Sequence, residues 1–434
     1  MTDIERSTIR DLAKRLAELA SLPEAEEKRK LWYAHDDLKT DEPVIDCSPE
    51  GAWREAVKPE ELVCEDDELR EIEYVLRMRI YRAEVIKDDV PAERRWDCRK
   101  IITDTGWGFD GKRSKDAFTN ESVHISTVSS LNPFWKNSFR FDETSAHFDP
   151  LITDDDMEDE NVALRVNTPE PLYDEEGSLK RLALHQELLG DILDVHFTGN
   201  TYIAFSWMEM YTKLRGYENA LYDLYDYPEE MHSILRVMEK GYLDFYRKEL
   251  DMGLLEMNNT CQYNGTGGYG YTNDIKAPEP GEKLSFRNLW AYAESQEFDA
   301  VSPEMHNEFA LEYETRLLSN FALSAYGCCD ALDKKLDYVF RIPNIRRISV
   351  APWADVKTMS ERIGKKAVFS IKPNPAYVAA QWDEDFLRKY TADLFRNSRG
   401  NITEIVLKDT HTLQNHPERL ARWVEICREV KATV

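Results

Sequence analysis

The sequence predicts an α/β protein built as a (β/α)8 TIM barrel with an N-terminal helical extension and a long loop insertion. Three observations carry that prediction. From about residue 178 onward, stretches with helical apolar periodicity alternate with short apolar runs, the pattern of parallel strands joined by crossover helices. The units are numerous and their connections mostly short, which favours a closed barrel over an open doubly wound sheet. The 434 residues are 42% hydrophobic and 32% charged, enough apolar material for one large core under a solvated surface.

Taken in order, Ile9, Leu12, Leu16 and Leu19 recur at helical spacing between Ser7 and Ala20. Leu69, Ile72, Leu76 and Ile80 repeat the pattern after Asp66. Between these helices Pro43-Val44-Ile45-Asp46 reads as a short strand, and Trp53 follows it. Residues 1–100 are assigned as the N-terminal helical extension of one domain spanning 1–434. Residues 104–160, rich in Gly, Asn, Ser, Asp and aromatics, have weak periodicity and form the irregular insertion. Beyond it, helices are expected near 178–190, 208–225, 228–250, 303–320, 331–341, 355–363, 383–398 and 416–430. Strands are expected near 192–197, 253–257, 298–301, 321–326, 345–350, 366–371 and 402–407. In a barrel of this kind the C-terminal strand ends and the loops after them carry the chemistry.

The charge balance narrows the partners. With 56 Lys+Arg against 82 Asp+Glu the formal charge is −26, a field that repels phosphate backbones and excludes nucleic acid. The acidic run from Thr153 to Glu160 reads as a solvated loop. A charged N-terminus without a long apolar segment predicts a cytoplasmic protein with no membrane association. Seven cysteines without framework spacing fit a reducing compartment, where thiols remain free to bind metal.

The chemistry-bearing candidates follow from the strand ends. Cys328 and Cys329 sit just after an apolar run, and His411 occupies a similar strand-to-helix position. Thiolate and imidazole donors on two strand ends can hold a tetrahedral Zn²⁺ and leave one position open. Glu256 ends the run Gly253-Leu254-Leu255 and reads as a ligand, a general base or the partner of a buried arginine. Asp409 is placed to orient the His411 imidazole. Lys372, in Ser370-Ile371-Lys372-Pro373, meets either an anionic group or a structural partner. Trp353 forms a wall for a planar substrate or caps the barrel. Gly265-Thr266-Gly267-Gly268-Tyr269-Gly270 matches the dinucleotide pattern only formally, since Pro278, Pro280 and Gly281 follow where a helix is required. A flexible aromatic-bearing loop over the barrel mouth is the preferred reading.

Several segments resemble the uroporphyrinogen decarboxylase-like superfamily. They are Asp194-Val195-His196 through Met208, Leu214-Arg215-Gly216-Tyr217-Glu218, Tyr227-Pro228-Glu229-Glu230, and Val301-Ser302-Pro303-Glu304-Met305 leading into Tyr326-Gly327-Cys328-Cys329. The likeness covers about residues 160–434. It implies a single (β/α)8 barrel, shared by a haem-pathway decarboxylase and by zinc-dependent methyltransferases that work with corrinoid proteins. The arginine-bearing N-terminal motif of the decarboxylase has no counterpart here, and a chain of −26 suits a polyanionic porphyrinogen poorly. The methyltransferase branch carries His-x-Cys after the equivalent strand and a second Cys near the last strand. Here Tyr326 stands at the His position, Cys328 matches the Cys, and His411 falls near the second Cys.

The resemblance thus implies a methyltransferase moving a methyl group between a small methoxy, thiol or amine compound and a corrinoid (cobalamin) presented by a separate carrier protein. Its metal candidates are Cys328, Cys329, His411 and Glu256 around Zn²⁺. Its catalytic candidates are Glu256, Asp194 and Lys372, and its substrate contacts Tyr326, Trp353 and Asn259. The alternative is a decarboxylase or lyase of the same fold acting on a small non-porphyrin substrate. The outer helices leave room for a homodimer.

Overall fold

A computed structural model describes residues 1–107 and 151–434, with two short strands at 110–112 and 122–124 between them. Seven strands form the central sheet: β1 (Val44–Cys47), β2 (Ala204–Ser206), β3 (Trp290–Glu294), β4 (Leu323–Tyr326), β5 (Ile345–Val350), β6 (Val368–Ile371) and β7 (Ile402–Leu407). Their order is β1-β7-β6-β5-β4-β3-β2, and every pairing is parallel. All six residues of β7 are buried. Such unbroken burial is the mark of a parallel sheet covered on both faces, which is why these runs are readable as strands.

The second half alternates as expected. Helices Glu384–Asn397 and Glu418–Lys431 flank β7, and Val356–Ile363 joins β5 to β6. Ser302 starts the helical stretch at Pro303 by accepting a hydrogen bond from the Met305 N–H. Here a serine cap and a proline at the first helical position act together.

Two of the expected strands are corrected. The strand expected near 298–301 is β3 at Trp290–Glu294; residues 296–298 form a 3-10 turn after it. The run near 253–257 contributes only a single parallel bridge, Asn200 to Leu255. The strand expected at Pro43–Asp46, within the assigned N-terminal extension, is β1, and it belongs to the central sheet, pairing with β7 in register Val44 to Glu404. Within that stretch Arg95–Arg99 also pairs in parallel with Asp194–Thr198 outside the central sheet. Most of the 104–160 insertion lies outside the described residues. Its acidic run begins with a helical turn, Asp154–Met157, closed by a Thr153 capping box.

The sheet is compatible with a TIM-barrel-like fold, but β1 and β2 at its two ends are not hydrogen-bonded to each other. The glycine-rich segment lies against its inner face. Tyr263 and Tyr269 pair in an antiparallel bridge, and the Asn264 N–H donates to Gly268 O at 2.9 Å, making a tight hairpin. This corrects the flexible-loop reading: Asn264, Gly265, Gly267 and Gly268 are buried. A Cβ on Gly265 would lie 3.1 Å from the Ala325 Cβ, and one on Gly267 would lie 2.6 Å from Val406 Cγ1. One hairpin therefore touches both β4 and β7, so the sheet curls around it. Glycine is required there for close approach, not for phosphate binding.

A second, smaller core joins helix Asp3–Ala20 to helices Asp67–Tyr81 and Glu175–Leu189 through Ile9, Leu16, Leu69, Ile72, Leu76, Trp96 and Leu188. Among the described residues no helix is long and apolar enough to cross a membrane.

Two glycine substitutions separate packing from backbone strain. Gly281 has φ +95° and nothing within 4 Å of the point where a Cβ would stand, so Gly281→Ala costs the left-handed backbone term alone, about 1–2 kcal/mol. Gly267→Ala, at φ +111°, adds the clash with Val406 and is expected to cost clearly more. Urea unfolding midpoints of the two variants measure the difference; equal losses would mean that the hairpin is not packed against β7.

Candidate functional site

The carboxyl ends of the parallel strands bring reactive side chains together. After β4, Gly327 turns the chain at φ +88°, where a Cβ would meet Leu332 Cδ1 at 2.5 Å. The turn is held by the Asp330 carboxylate, which accepts from the Cys328 N–H at 3.3 Å, and by Ser349 Oγ, which donates to Cys328 O at 2.8 Å. It sets Cys328 and Cys329 beyond the strand end with their sulfurs 3.5 Å apart. After β7, Asp409 adopts φ +55°, so Lys408 and Asp409 both turn toward the thiols. Lys408 Nζ lies 3.9 Å from Cys328 Sγ, and Cys329 Sγ lies 3.8 Å from Asp409 Oδ2. Lys408 also pairs with Asp409 at 3.2 Å and with Glu50 at 3.9 Å. The Thr266 hydroxyl at the hairpin tip donates to Gly327 O at 3.0 Å and closes this edge from below.

Burial shapes the protonation of these groups. The contact with Cys329, followed by burial, raises the Cys328 thiol well above its ordinary range despite the Lys408 cation. Burial opposes the charge on Lys408, yet Cys328, Asp409 and Glu50 together hold it well above the usual lysine value. At the end of β3, burial and the neighbouring Glu297 push the Glu294 carboxyl well above its ordinary range. At the end of β6, burial brings Lys372 down to about 8, with Lys408 and Arg347 adding to the effect against Glu404. Lys372 donates to the Ser370 hydroxyl, which in turn donates to Glu404.

Of the residues singled out in the sequence, Cys328, Cys329 and Lys372 lie at this edge. His411 is exposed beyond it, and Glu256 is half-buried with its backbone N–H donating to Asn200 O at 3.0 Å. Cys328, Cys329, His411 and Glu256 do not form a preassembled ligand cluster; Glu256 follows the Asn200–Leu255 bridge, and His411 is exposed two residues beyond Asp409. Trp353 is 60% exposed on the loop after β5, where a ligand can meet it.

Three assignments are corrected. Asp194 begins its strand rather than ending it; it is exposed and pairs with Arg94 at 3.7 Å, away from the carboxyl edge. Asn259 is spent on structure, donating from Nδ2 to Ile275 O at 3.2 Å and Thr272 O at 3.4 Å. Tyr326 faces the helix layer, where its hydroxyl lies 3.1 Å from His306 Nε2 and donates to Glu314 Oε2 at 2.8 Å. Strand alternation is the reason, since neighbouring Ala325 takes the inner face.

Sequence reasoning misses Glu294 and Glu50, and it places Lys408 at a strand end without giving it a role. Glu294 has a signal, the run Trp290-Ala291-Tyr292-Ala293 closing on an acid, but the expected strand falls several residues later. Lys408 lies in a segment whose histidine draws the attention. Glu50 reaches the site through tertiary packing alone. Neither known family models nor curated proteins match this chain.

The acid behind β4 supplies a pH test. Burial pushes Glu314 up to about 8 in spite of hydrogen bonds from Tyr326 and Ser295, with Asp330 and Glu297 adding negative charge nearby. Its folded value lies above the unfolded 4.5, so the folded state holds a proton that the unfolded state loses between pH 4.5 and about 8. Stability from this group is intact below pH 4.5 and falls as pH rises through that window. Glu314→Gln is expected to gain stability relative to the parent between about pH 5 and about pH 8, measured by urea unfolding at both. A constant difference would show that Glu314 does not titrate in that range.

Proposed function

We propose that the carboxyl edge of the sheet is the active site of a zinc-dependent methyltransferase, passing a methyl group between a small methylated compound and a corrinoid held by a partner protein. The adjacent thiols of Cys328 and Cys329, 3.5 Å apart at a parallel-strand end, carry this reading. In it the sheet closes as a (β/α)8 barrel. Support comes from the Leu255 bridge to Asn200 and from Asn258, whose Nδ2 donates to Thr201 O at 2.8 Å and Trp290 O at 3.1 Å, contacts that extend the pairing beyond the β2 end of the sheet.

The donor set fits a soft or borderline metal in part. Two sulfurs side by side suit Zn²⁺, and the Asp409 carboxylate, 3.8 Å from Cys329 Sγ, would serve as a third donor in place of Glu256 and His411. When bound, Zn²⁺ supplies Lewis acidity toward the heteroatom that carries the methyl group. The Lys408 ammonium faces Cys328 and offers a positive charge to an anionic leaving group at the same spot. In this reading the buried Glu294 carboxyl, pushed well up by burial and Glu297, serves as a proton donor, and the Thr266 hydroxyl holds the turn at Gly327. Trp353 at the rim offers a face to an aromatic ring.

A second reading has its own observation. Lys372, buried and brought down to about 8, suits a metal-independent decarboxylase or lyase of the same fold, in which a lysine acts on a small carboxylate or carbonyl substrate.

Zinc content and methyl transfer from methoxyaromatic donors to a reduced corrinoid protein separate the readings. Cys328→Ala is expected to lose one equivalent of zinc and roughly 100-fold in transfer rate, on the order of one lost metal ligand. His411→Ala and Glu256→Gln are expected to keep both. Full zinc content in Cys328→Ala, or turnover that survives chelation and disappears in Lys372→Met, would overturn the methyltransferase reading in favour of the second.

A further inference from the structure

We infer that Tyr292, on the inner face of β3, is the hydrogen-bond donor by which the thiol edge selects its ligand, an aromatic compound carrying an oxygen acceptor. The inference rests on that edge being a ligand site, which both readings above share, and adds the residue that recognises the ligand. Tyr292 pairs in register with Ala204 of β2 and Ala325 of β4. Its ring lies against the inserted hairpin, with Cδ2 3.7 Å from the point where a Cβ on Gly265 would stand. Strand alternation gives Glu294, two residues on, the same face.

The Tyr292 hydroxyl decides the role. The residue is 3% exposed, and among the described residues its hydroxyl has no hydrogen-bond partner. The neighbouring Tyr202 hydroxyl, by contrast, donates to Gly265 O at 3.2 Å. An unpaired buried donor weakens the fold that contains it, and phenylalanine would fill the same space without that penalty. The hydroxyl is explained by a partner that arrives with the ligand. Burial raises the phenol well above its ordinary value, and Cys328, Glu294, Tyr202 and Cys329 act in the same direction, so it keeps its proton near the two thiols.

The inner face meets solvent at this end of the sheet. Tyr202, Ala204 and Ser206 are half-buried, whereas Ile203 and Phe205 of the opposite face are buried. Tyr263 and Thr266 of the hairpin are half-buried too, as is Cys329. The Tyr202 ring centroid lies 6.2 Å from that of Tyr292 and 5.8 Å from that of Tyr263, so the phenols form an aromatic wall. The Tyr292 hydroxyl is covered by its neighbours, and the half-exposed Tyr202 moves aside as a ligand enters. A phenol that keeps its proton pairs with an ether, phenolic or carbonyl oxygen, whereas an alkylammonium offers it no lone pair and a thiol only a weak acceptor. Of the methoxy, thiol and amine compounds that suit the proposed reaction, the wall and its donor favour aryl methoxy compounds.

Titration calorimetry of chelator-treated protein, without a corrinoid partner, tests this with anisole and its oxygen-free isostere ethylbenzene. The ratio of anisole to ethylbenzene affinity is expected to fall about tenfold from the parent to Tyr292→Phe, the worth of one hydrogen bond, while the difference in hydrophobicity between the probes cancels. Without ligand, Tyr292→Phe is expected to keep or raise the urea unfolding midpoint, because it removes an unpaired polar group. A parent that binds neither probe, an unchanged ratio, or a lower midpoint in the variant, failure to fold included, would overturn the assignment. None of these readouts uses zinc or methyl transfer, so failure here leaves the methyltransferase reading standing, and loss of that reading leaves the oxygen preference measurable.

Discussion

Arg347 is the charge around which the inner face of the sheet is organised. Its side chain is almost wholly buried in β5, pairing with Asp36 from the N-terminal helices and Glu404 from β7. It also donates to Tyr269 O of the inserted hairpin at 3.0 Å and packs over the Trp290 ring of β3 at 5.5 Å. Four elements distant in sequence thus meet at one guanidinium. Desolvating a cation so completely is tolerable only with every partner present, and removing one partner of such a buried pair typically costs about 3–5 kcal/mol. The position also explains Gly268, where a Cβ would sit 2.7 Å from Arg347 Cζ.

A second buried arginine repeats the logic on the other side of β1. Arg82 pairs with Asp46 and, at 2.6 Å, with Asp88, and its Nη1 donates to the Tyr269 hydroxyl at 3.0 Å. Burial, set against Arg82 and reinforced by Asp88, raises Asp46 to about 6. The hairpin is therefore gripped at Tyr269 by both arginines, through its carbonyl and through its hydroxyl. Its tip is carried to Gly327 and the thiols as a consequence. What shapes the carboxyl edge is thus set by ion pairs near the middle of the sheet.

The parts of this arrangement legible in the sequence are those governed by local rules. The runs 345–350 and 402–407 are readable as strands because β-branched residues, Ile345, Ile348 and Val350 in one and Ile402, Thr403, Ile405 and Val406 in the other, concentrate in them between helical stretches, although each also carries a buried charge. Cys328, Cys329 and Lys372 are readable as strand-end groups for the same reason. Trp290–Glu294 escapes a local reading because Phe298-Asp299-Ala300-Val301, directly before the Ser302 cap, stands where the strand leading into that helix is expected. The face taken by Tyr326 is equally hidden, because a four-residue strand leaves its phase undetermined until Ala325 is seen against the hairpin. The glycine run is rightly refused as a phosphate loop, but its actual role depends on Val406 and Arg347, far off in the chain. His35 and Asp36 give no signal at all, since His and Asp are ordinary at a helix end and only Glu404 makes them a group.

The two clusters divide the inner face by chemistry. At the carboxyl edge the sulfurs of Cys328 and Cys329 lie side by side next to the Lys408 ammonium, so the donors are soft, and Cys329 is partly exposed. Deeper in, imidazole and carboxylates are shielded by Arg347 and the hairpin, and their side chains are 0% exposed. A group serving catalysis must be reachable, and a group serving architecture must be shielded. Glu404 stands between the two, because its other contacts run through Ser370 to Lys372 at the end of β6. Any change in the charge held at Glu404 is therefore felt by Lys372, which makes the buried cluster a determinant of how readily that lysine gives up its proton.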